Sequence, residues 1–299
     1  MEILENATSR SRWQALTDAA QAPLQQCWGY GDAARSLGGG ILRMELREGG
    51  KTIALAQGIR RRWLVPVTLI TRGPVWIGTP DPDRRSRAIS TLRLGLNGTV
   101  VLTPDTGLPD DALRQAGLKC VMTPATVAML PLSTGLRDRM TGKWRNRLAR
   151  AERAGLNVRV SHPTAEKLRW LLQHDAAQQK ARRYRALPAA FTTAWLGQSP
   201  NSGFMVEALK SGETLAAMLF LRHGTSATYH IGWTSDRGRA VSAHNLTLWH
   251  AAAHLADTGA AVLDLGLVDT ETAPGLARFK LGTGARPLST GGTWICLRR

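Results

Sequence analysis

The order in which helical and strand-like periodicities follow one another is the feature that most limits the fold of this chain. The first segment reads as helix, hairpin, strand, helix, strand, helix and strand, from apolar residues at helical or alternating spacing. A second segment begins near Leu136 and repeats that order. Such alternation is typical of α/β domains in which helices cover a sheet. We therefore predict an α/β protein with two mixed-sheet domains in tandem, residues 1–135 and 136–299.

The second segment contains the elements on which a site would be built. A helix is predicted from Leu136 to Ala154, with Gly155 as its stop. The elements predicted after it are a strand at 156–160, a helix at 165–185, hairpin strands at 204–209 and 214–222, a strand at 227–234, a helix at 242–258 and a buried strand at 261–266. Two similar halves in one chain suggest an internal duplication.

The formal net charge of +17 points to a polyanionic partner. A field of this strength attracts nucleic acid, phosphorylated carriers or anionic lipid, although solubility and arginine-rich codon usage are the alternative explanation. No apolar run approaches the roughly 18 residues of a membrane helix, and the N-terminus has no apolar signal region. We expect a cytoplasmic protein with no transmembrane segment and with peripheral contact as the only membrane association.

Cysteine and histidine usage predicts neither a metal site nor a tightly bound cofactor. Cys27, Cys120 and Cys296 lie far apart and outside zinc-ligand spacing. They are expected to be reduced thiols, which fits a reducing compartment. His250 and His254 lie one helical turn apart, but no third ligand stands at the spacing of a zinc enzyme.

The predicted helix at 136–154 has one apolar and one basic side. Its apolar stripe consists of Leu136, Met140, Trp144, Leu148 and Ala151. Its cations are Arg137, Arg139, Lys143, Arg145, Arg147, Arg150 and Arg153, against which stand only Asp138 and Glu152. This side either binds an anion or is simply solvated. Phosphate contacts would dominate if the partner were a nucleic acid, because no base-reading motif is present.

Several short motifs occur in an order that resembles the FemABX-like transferases, which are related to GNAT acyltransferases. The motifs are Pro23-Leu24-Gln25-Gln26-Cys27-Trp28-Gly29-Tyr30-Gly31, Arg72-Gly73-Pro74-Val75-Trp76, Lys143-Trp144-Arg145-Asn146, Tyr229-His230-Ile231-Gly232, Asn245-Leu246-Thr247-Leu248-Trp249, Leu263-Asp264-Leu265-Gly266 and Gly275-Leu276-Ala277-Arg278-Phe279-Lys280-Leu281-Gly282. Each motif is short, but the series spans nearly the whole chain.

The resemblance implies two GNAT-like domains, with an active cleft between or beside them and the active site chiefly in the C-terminal domain. It also implies acyl or aminoacyl transfer to an amine, with acyl-CoA or aminoacyl-tRNA as co-substrate. Cell-wall members of the family act on peptidoglycan precursors that carry diphosphate. The expected partner is therefore a polyanionic donor or carrier, whether CoA, tRNA or a phosphorylated precursor.

The catalytic candidates are Lys280, Asp264, Tyr229 and His230. By resemblance, Lys280 stabilises the developing negative charge or holds a donor phosphate; the alternative is a surface lysine. Asp264 lies in a buried-looking strand, where a carboxylate needs a partner, and acts either as a base or as a loop cap. Tyr229 and His230 should point to opposite faces of a strand, each with a structural role as its alternative. No Ser-His-Asp or Cys-His set is evident, so we expect direct transfer without an acyl-enzyme.

The donor-binding candidates are Arg237, Gly238, Arg239 and Ala240. They resemble the GNAT pyrophosphate loop, in which backbone N–H groups at a helix N-terminus hold the phosphates. Ser235 replaces the Gln or Arg that opens that pattern, and an ordinary turn is the alternative. The substrate-binding candidates are taken from their places in the motifs: Lys143, Arg145, Asn146, Trp28 and Phe279.

Two further functions are compatible with the sequence. The same scaffold could serve as a non-catalytic module that binds RNA or anionic lipid through its basic surface, since a fold does not prove a chemistry. A structural or metabolic protein of another kind is the remaining alternative.

Overall fold

The protein consists of two compact units. The structure is a computed structural model and describes residues 1–62, 65–105, 108 and 110–297. One unit comprises Met1–Val127 with Leu288–Arg299, and the other comprises Ala128–Pro287. This division falls earlier than the boundary at 135, and the last residues of the chain group with the first unit.

The helices and strands follow the chain in this order. The helices are α1 (Arg10–Ala19), α2 (Trp28–Ser36), α3 (Pro82–Leu94), α4 (Asp110–Gln115), α5 (Leu136–Arg139), α6 (Gly142–Glu152), α7 (Ala165–Arg182), α8 (Ala189–Leu196), α9 (Asp236–Ala240), α10 (Ala243–Asp257) and α11 (Pro274–Leu281), with a 3-10 turn at Leu24–Gln26. The strands are β1 (Glu2–Glu5), β2 (Gly40–Glu48), β3 (Lys51–Arg62), β4 (Pro66–Thr71), β5 (Val75–Trp76), β6 (Thr99–Thr103), β7 (Lys119–Met122), β8 (Thr126–Pro131), β9 (Asn157–Ser161), β10 (Gly203–Lys210), β11 (Glu213–His223), β12 (Ser226–Thr234), β13 (Val262–Leu267), β14 (Arg286–Ser289) and β15 (Thr293–Cys296).

The first unit is built on a sheet in the order β1-β2-β3-β4-β6-β15-β7, with β5 also paired to β3. Strand β4 runs parallel to β6, and β15 is antiparallel to both of its neighbours. A core of aliphatic side chains, including Leu42, Ile89 and Leu102, packs with Trp294 of β15. The C-terminal strand is therefore an internal part of this sheet.

The second unit contains a sheet in the order β14-β8-β13-β12-β11-β10-β9. The hairpin between β10 and β11 turns at Ser211 and Gly212, both at positive φ, as two-residue hairpin turns require. Strands β12 and β13 are parallel and pair only from Ser226 with Val262 to Thr228 with Asp264. Beyond that point both strands continue but do not pair with each other, which leaves an opening between two neighbouring strands.

A β-bulge distorts β12 beside this opening. Leu219 pairs with Ile231 and Phe220 pairs with Tyr229, so His230 has no counterpart on β11. An extra residue of this kind redirects side chains locally. Helices α6 and α10 cover the core of this unit through Trp144 and other apolar side chains.

Each residue of the apolar stripe predicted at 136–154 is buried or packs against the core, but the predicted helix is two helices. It breaks at Met140 and Thr141, where the N–H of Thr141 donates to the carbonyl of Gly282 at 2.9 Å. None of the described helices combines the length and apolar character that crossing a bilayer requires.

Candidate active site

Lys280 of α11 lies beside the end of β13 that does not pair with β12. Its side chain is buried, with the residue only 6% exposed, and its Nζ donates to the carbonyl oxygen of Leu267 at 2.7 Å. Burial lowers the pKa of Lys280 to about 8, while the charge of Asp264 acts in the opposite direction. A cation is thus held in a largely desolvated position where the strands separate.

Asp264 is the last residue of β13 that pairs with β12, and it is 4% exposed. Its Oδ1 accepts the N–H of Gly266 at 2.7 Å. Gly266 has a positive φ of 77°, and a Cβ at that position would lie 3.7 Å from the Nζ of Lys280. The structure therefore brings Asp264 and Lys280 to the same end of β13, where each buried charge offsets the other.

Tyr229 and His230 contact different elements, in line with their adjacent positions on a strand. The Tyr229 ring packs 5.8 Å from the ring of Phe220, and its hydroxyl lies so close to Gly232 that any Cβ there would overlap it. Burial raises the pKa of Tyr229. His230 Nε2 shares a hydrogen bond of 2.7 Å with the hydroxyl of Thr192 in α8, and burial lowers the pKa of His230 to about 4.

A buried carboxylate on α7 escaped the sequence analysis. Asp175 accepts hydrogen bonds from the Tyr184 hydroxyl at 3.1 Å and from Gln179 Nε2 at 2.7 Å. Its charge raises the pKa of Tyr229 and opposes the lowering at His230. The sequence carried no signal for it, because the apolar residues of α7 do not mark one side of the helix as buried.

The part of β12 that does not pair with β13 is hydrogen-bonded to helices by side chains that the motifs did not mark. Gln178 Nε2 donates to the carbonyl of Gly232 at 3.1 Å, and His244 Nε2 lies 3.0 Å from the carbonyl oxygen of Trp233. Burial lowers the pKa of His244 to about 4, and the nearby Arg239 and Arg182 also lower it. The neutral ring therefore donates from Nε2, which satisfies a carbonyl that the missing strand pairing leaves open.

Residues 236–240, expected to form a phosphate loop, form the short helix α9. Ser235 caps this helix: its hydroxyl accepts the N–H of Gly238 at 3.0 Å. The N–H groups of Arg239, Val241 and Ser242 donate to carbonyls of the same segment. Arg237 pairs with Glu213.

Gly238 is buried, and a Cβ there would overlap the carbonyl oxygen of Leu215. The glycine is therefore explained by close packing of α9 on β11, and Ala240 is exposed. Arg239 contacts Asp236 at 3.5 Å and the carbonyl of Thr234 at 3.2 Å.

The substrate-binding candidates fall in different places. Lys143, Arg145 and Asn146 are exposed on α6. Trp144, between them, is buried and donates from Nε1 to the carbonyl of Phe279 at 3.0 Å, so α6 is attached to the helix that carries Lys280. The Phe279 ring lies 6.1 Å from that of Trp144.

Trp28 belongs to the first unit, where it has a clear packing role. The guanidinium of Arg43 stacks 3.5 Å from the centre of the Trp28 ring and also contacts Gln57 at 2.9 Å and Asp32 at 3.0 Å. This network gives Trp28 a structural role in the first unit.

Among the residues that the structure describes, no group of three or more His, Cys, Asp or Glu side chains is placed to hold a metal ion.

Comparison with known proteins identifies the fold that carries this site. Residues 139–284 match the family described as acetyltransferase (GNAT) domain. The chain has a FemX-like, GNAT-related fold. The crystal structure of FemX matches with a TM-score of 0.81 at 12% identity, over 100% of this chain and 98% of FemX. No curated protein matches by sequence.

Other solved structures match the chain at lower similarity. A tandem GNAT protein from the clavulanic acid biosynthesis pathway matches with a TM-score of 0.54 at 13% identity, covering 99% of this chain and 98% of that one. The structure of L-PGS from Bacillus licheniformis matches with a TM-score of 0.55 at 12% identity, covering 97% of this chain and 92% of that one. The resemblance to FemABX-like, GNAT-related proteins and the α/β class with tandem GNAT-like domains are therefore confirmed.

Proposed function

We propose that this chain is an acyltransferase that moves an acyl or aminoacyl group from an activated donor to an amine by direct attack. The observation that carries the proposal is Lys280, a buried cation at the opening between β12 and β13. GNAT-related folds are used for acyl transfer, and the family match covers α11 and this lysine.

In the proposed reaction, the acceptor amine attacks the carbonyl of an ester or thioester. The resulting tetrahedral oxyanion accepts a hydrogen bond from the ammonium of Lys280, which has three donors and gives one to Leu267. Collapse of the intermediate forms the amide and expels the donor oxygen or sulfur, which receives the proton released by the amine. Asp264 helps to keep Lys280 charged.

Aminoacyl-tRNA is the proposed donor, and it is favoured over acyl-CoA because residues 236–240 form the helix α9 in place of an open phosphate loop. A pyrophosphate held in the GNAT manner needs free backbone N–H groups at a helix start. In this segment the N–H groups of Gly238, Arg239, Val241 and Ser242 already donate within the segment itself. The free cysteines Cys27, Cys120 and Cys296 support a reducing, cytoplasmic location.

Transfer should depend on the charge at position 280. We expect Lys280→Met to lower kcat by about 10²–10³, the usual cost of removing one oxyanion donor. Lys51→Met, which removes an exposed lysine of the first unit, is the matched control and should leave kcat unchanged. Full activity of Lys280→Met in an aminoacyl-transfer assay would reject the proposed site.

Thermal unfolding separates the two donors. A ligand at about 100 times its Kd stabilises a protein by about 2.7 kcal/mol, which shifts Tm by roughly 5–11 °C in a unit of this size. We expect such a shift with aminoacyl-tRNA and none with acetyl-CoA. A shift with acetyl-CoA alone would reassign the donor and leave the role of Lys280 standing.

A further inference from the structure

We propose that the exposed side of α6 is the binding surface for the phosphate backbone of the RNA that carries the acyl group. This inference rests on the proposed function for its RNA donor. The proposed surface comprises Lys143, which lies in a motif, together with Arg147, Arg150 and Arg153, which lie in none. The recognition is of backbone phosphates and not of base sequence.

The cations of α6 lie along one line of the helix. At 3.6 residues per turn, Lys143, Arg147 and Arg150 fall within about 60° of one another. A rise of 1.5 Å per residue places them about 6 and 4.5 Å apart along the axis. Long basic side chains at such intervals can each contact a different phosphate of a nucleic-acid backbone. Asn146 and Arg153 border the same line on one side.

These cations have no counter-charge within the part of the chain that the structure describes. Lys143, Arg147, Arg150 and Arg153 are all exposed. The acid of α6, Glu152, is occupied by Arg137 through two hydrogen bonds of 2.9 and 2.7 Å. Like charges three or four positions apart destabilise a helix. A polyanion bound along this line would remove that cost.

The buried side of α6 favours RNA over a membrane surface. A helix that binds lipid inserts its apolar side into the headgroup region. In α6 that side is Trp144, Leu148 and Ala151, which are 3%, 0% and 0% exposed within the core of the second unit. Because its apolar side is already buried, α6 can contact a partner only through its charged and polar side chains.

The same helix is connected to the proposed reaction centre. Trp144 follows Lys143 directly and donates to the carbonyl of Phe279, the residue before Lys280. Gly282, after Lys280, packs so closely on Trp144 that a Cβ would lie 2.8 Å from its Cδ1. An RNA held along α6 is thus fixed relative to Lys280 through one buried side chain.

The test measures binding of a fluorescein-labelled RNA hairpin to the full chain by anisotropy at several salt concentrations. The variant is Lys143→Gln/Arg147→Gln/Arg150→Gln. The control is Arg35→Gln/Lys51→Gln/Arg159→Gln, which removes the same charge from other exposed positions. Unchanged Tm values would show that both variants are folded.

We expect the α6 variant to bind at least roughly tenfold more weakly at about 0.1 M salt, with a log–log salt slope smaller by about 2–3. The control should stay within about twofold of the wild type. Equal losses in the two variants, or no loss in the α6 variant, would overturn the assignment. Binding to phosphatidylglycerol vesicles but not to RNA would overturn it in favour of a lipid surface.

The reaction is tested separately with Lys280→Met, which should bind the hairpin as the wild type does. Failure of α6 to bind RNA leaves the chemistry at Lys280 standing, and failure at Lys280 leaves the RNA surface standing.

Discussion

Lys280 combines two properties that oppose each other, a positive charge and burial. Burial alone would drive an isolated ammonium to lose its proton. The carbonyl of Leu267 and the carboxylate of Asp264 oppose that loss, and the balance leaves a cation that can still titrate near neutral pH. An oxyanion-stabilising group of this kind is active only while it is protonated.

Activity should therefore fall as the pH rises through about 8, the pKa of Lys280. Below that pH the lysine is charged; above it the neutral amine stabilises an oxyanion poorly. In Lys280→Arg the charge persists at all accessible pH values, so the descending limb should move upward or vanish, even if kcat is lower overall. The measurement is kcat against pH with the same donor and acceptor. An unchanged descending limb in Lys280→Arg would assign it to another group.

His230 makes a different prediction, about stability. Its pKa is about 4 in the folded chain and 6.5 when unfolded. Between those values the unfolded chain binds the extra proton, so stability is complete above about 6.5 and is lost as the pH falls toward 4, by on the order of 3 kcal/mol. His230→Gln should flatten this part of the curve of unfolding free energy against pH. A curve of unchanged shape in His230→Gln would show that another group causes this loss of stability.

At the scale of elements, α9 shows how a sequence pattern can have two physical causes. A glycine followed by a small residue before a helix is expected in a phosphate-binding loop. A glycine is also needed wherever another backbone segment packs closely against the chain. Here the second cause is visible, because Gly238 packs on the carbonyl of Leu215. The pattern itself could be found in the sequence. Its cause could not, because the close contact is with Leu215 of β11, which is distant along the chain.

Gly238→Ala should therefore destabilise the protein without any ligand, by about 1–3 kcal/mol, as overpacking does. Gly275→Ala in α11 is the control, since nothing lies near the position of its new Cβ, and it should be neutral or slightly stabilising. Chemical denaturation without ligands measures both. An equal stability of Gly238→Ala and the wild type would show that this glycine is not needed for packing.

The bounds of helices and strands in the second unit show which elements the local sequence predicts. The strands of the hairpin at 203–223 and the helix α10 lie within a residue or two of their predicted positions, because their periodicity is strong and their ends carry glycine signals. The helix predicted over 136–154 was wrong at one point, since the break at Thr141 depends on a hydrogen bond to Gly282. Helix α8 was missed, although Thr192 on it holds His230.

On the scale of the whole molecule, the path of the C-terminus is the largest departure from the sequence analysis. Two α/β units could be predicted from the repeated order of elements. The position of β15 could not, because four residues with a common strand pattern do not specify which sheet they join. Pairing with both β6 and β7 is a long-range contact that only the folded first unit provides.

That position predicts where the chain should be sensitive to change near its end. Trp294 of β15 is 1% exposed, packs in the core of the first unit and donates from Nε1 to the carbonyl of Gly291 at 2.7 Å. Trp294→Ala should cost about 3–5 kcal/mol, as for other buried aromatics. Hydrogen exchange should accelerate in β6 and β7, the neighbours of β15. Leu297→Ala, at a side chain 73% exposed and three residues on, should change neither quantity. If β6 and β7 kept their protection in Trp294→Ala, β15 would be an addition to the sheet and not the strand that completes it.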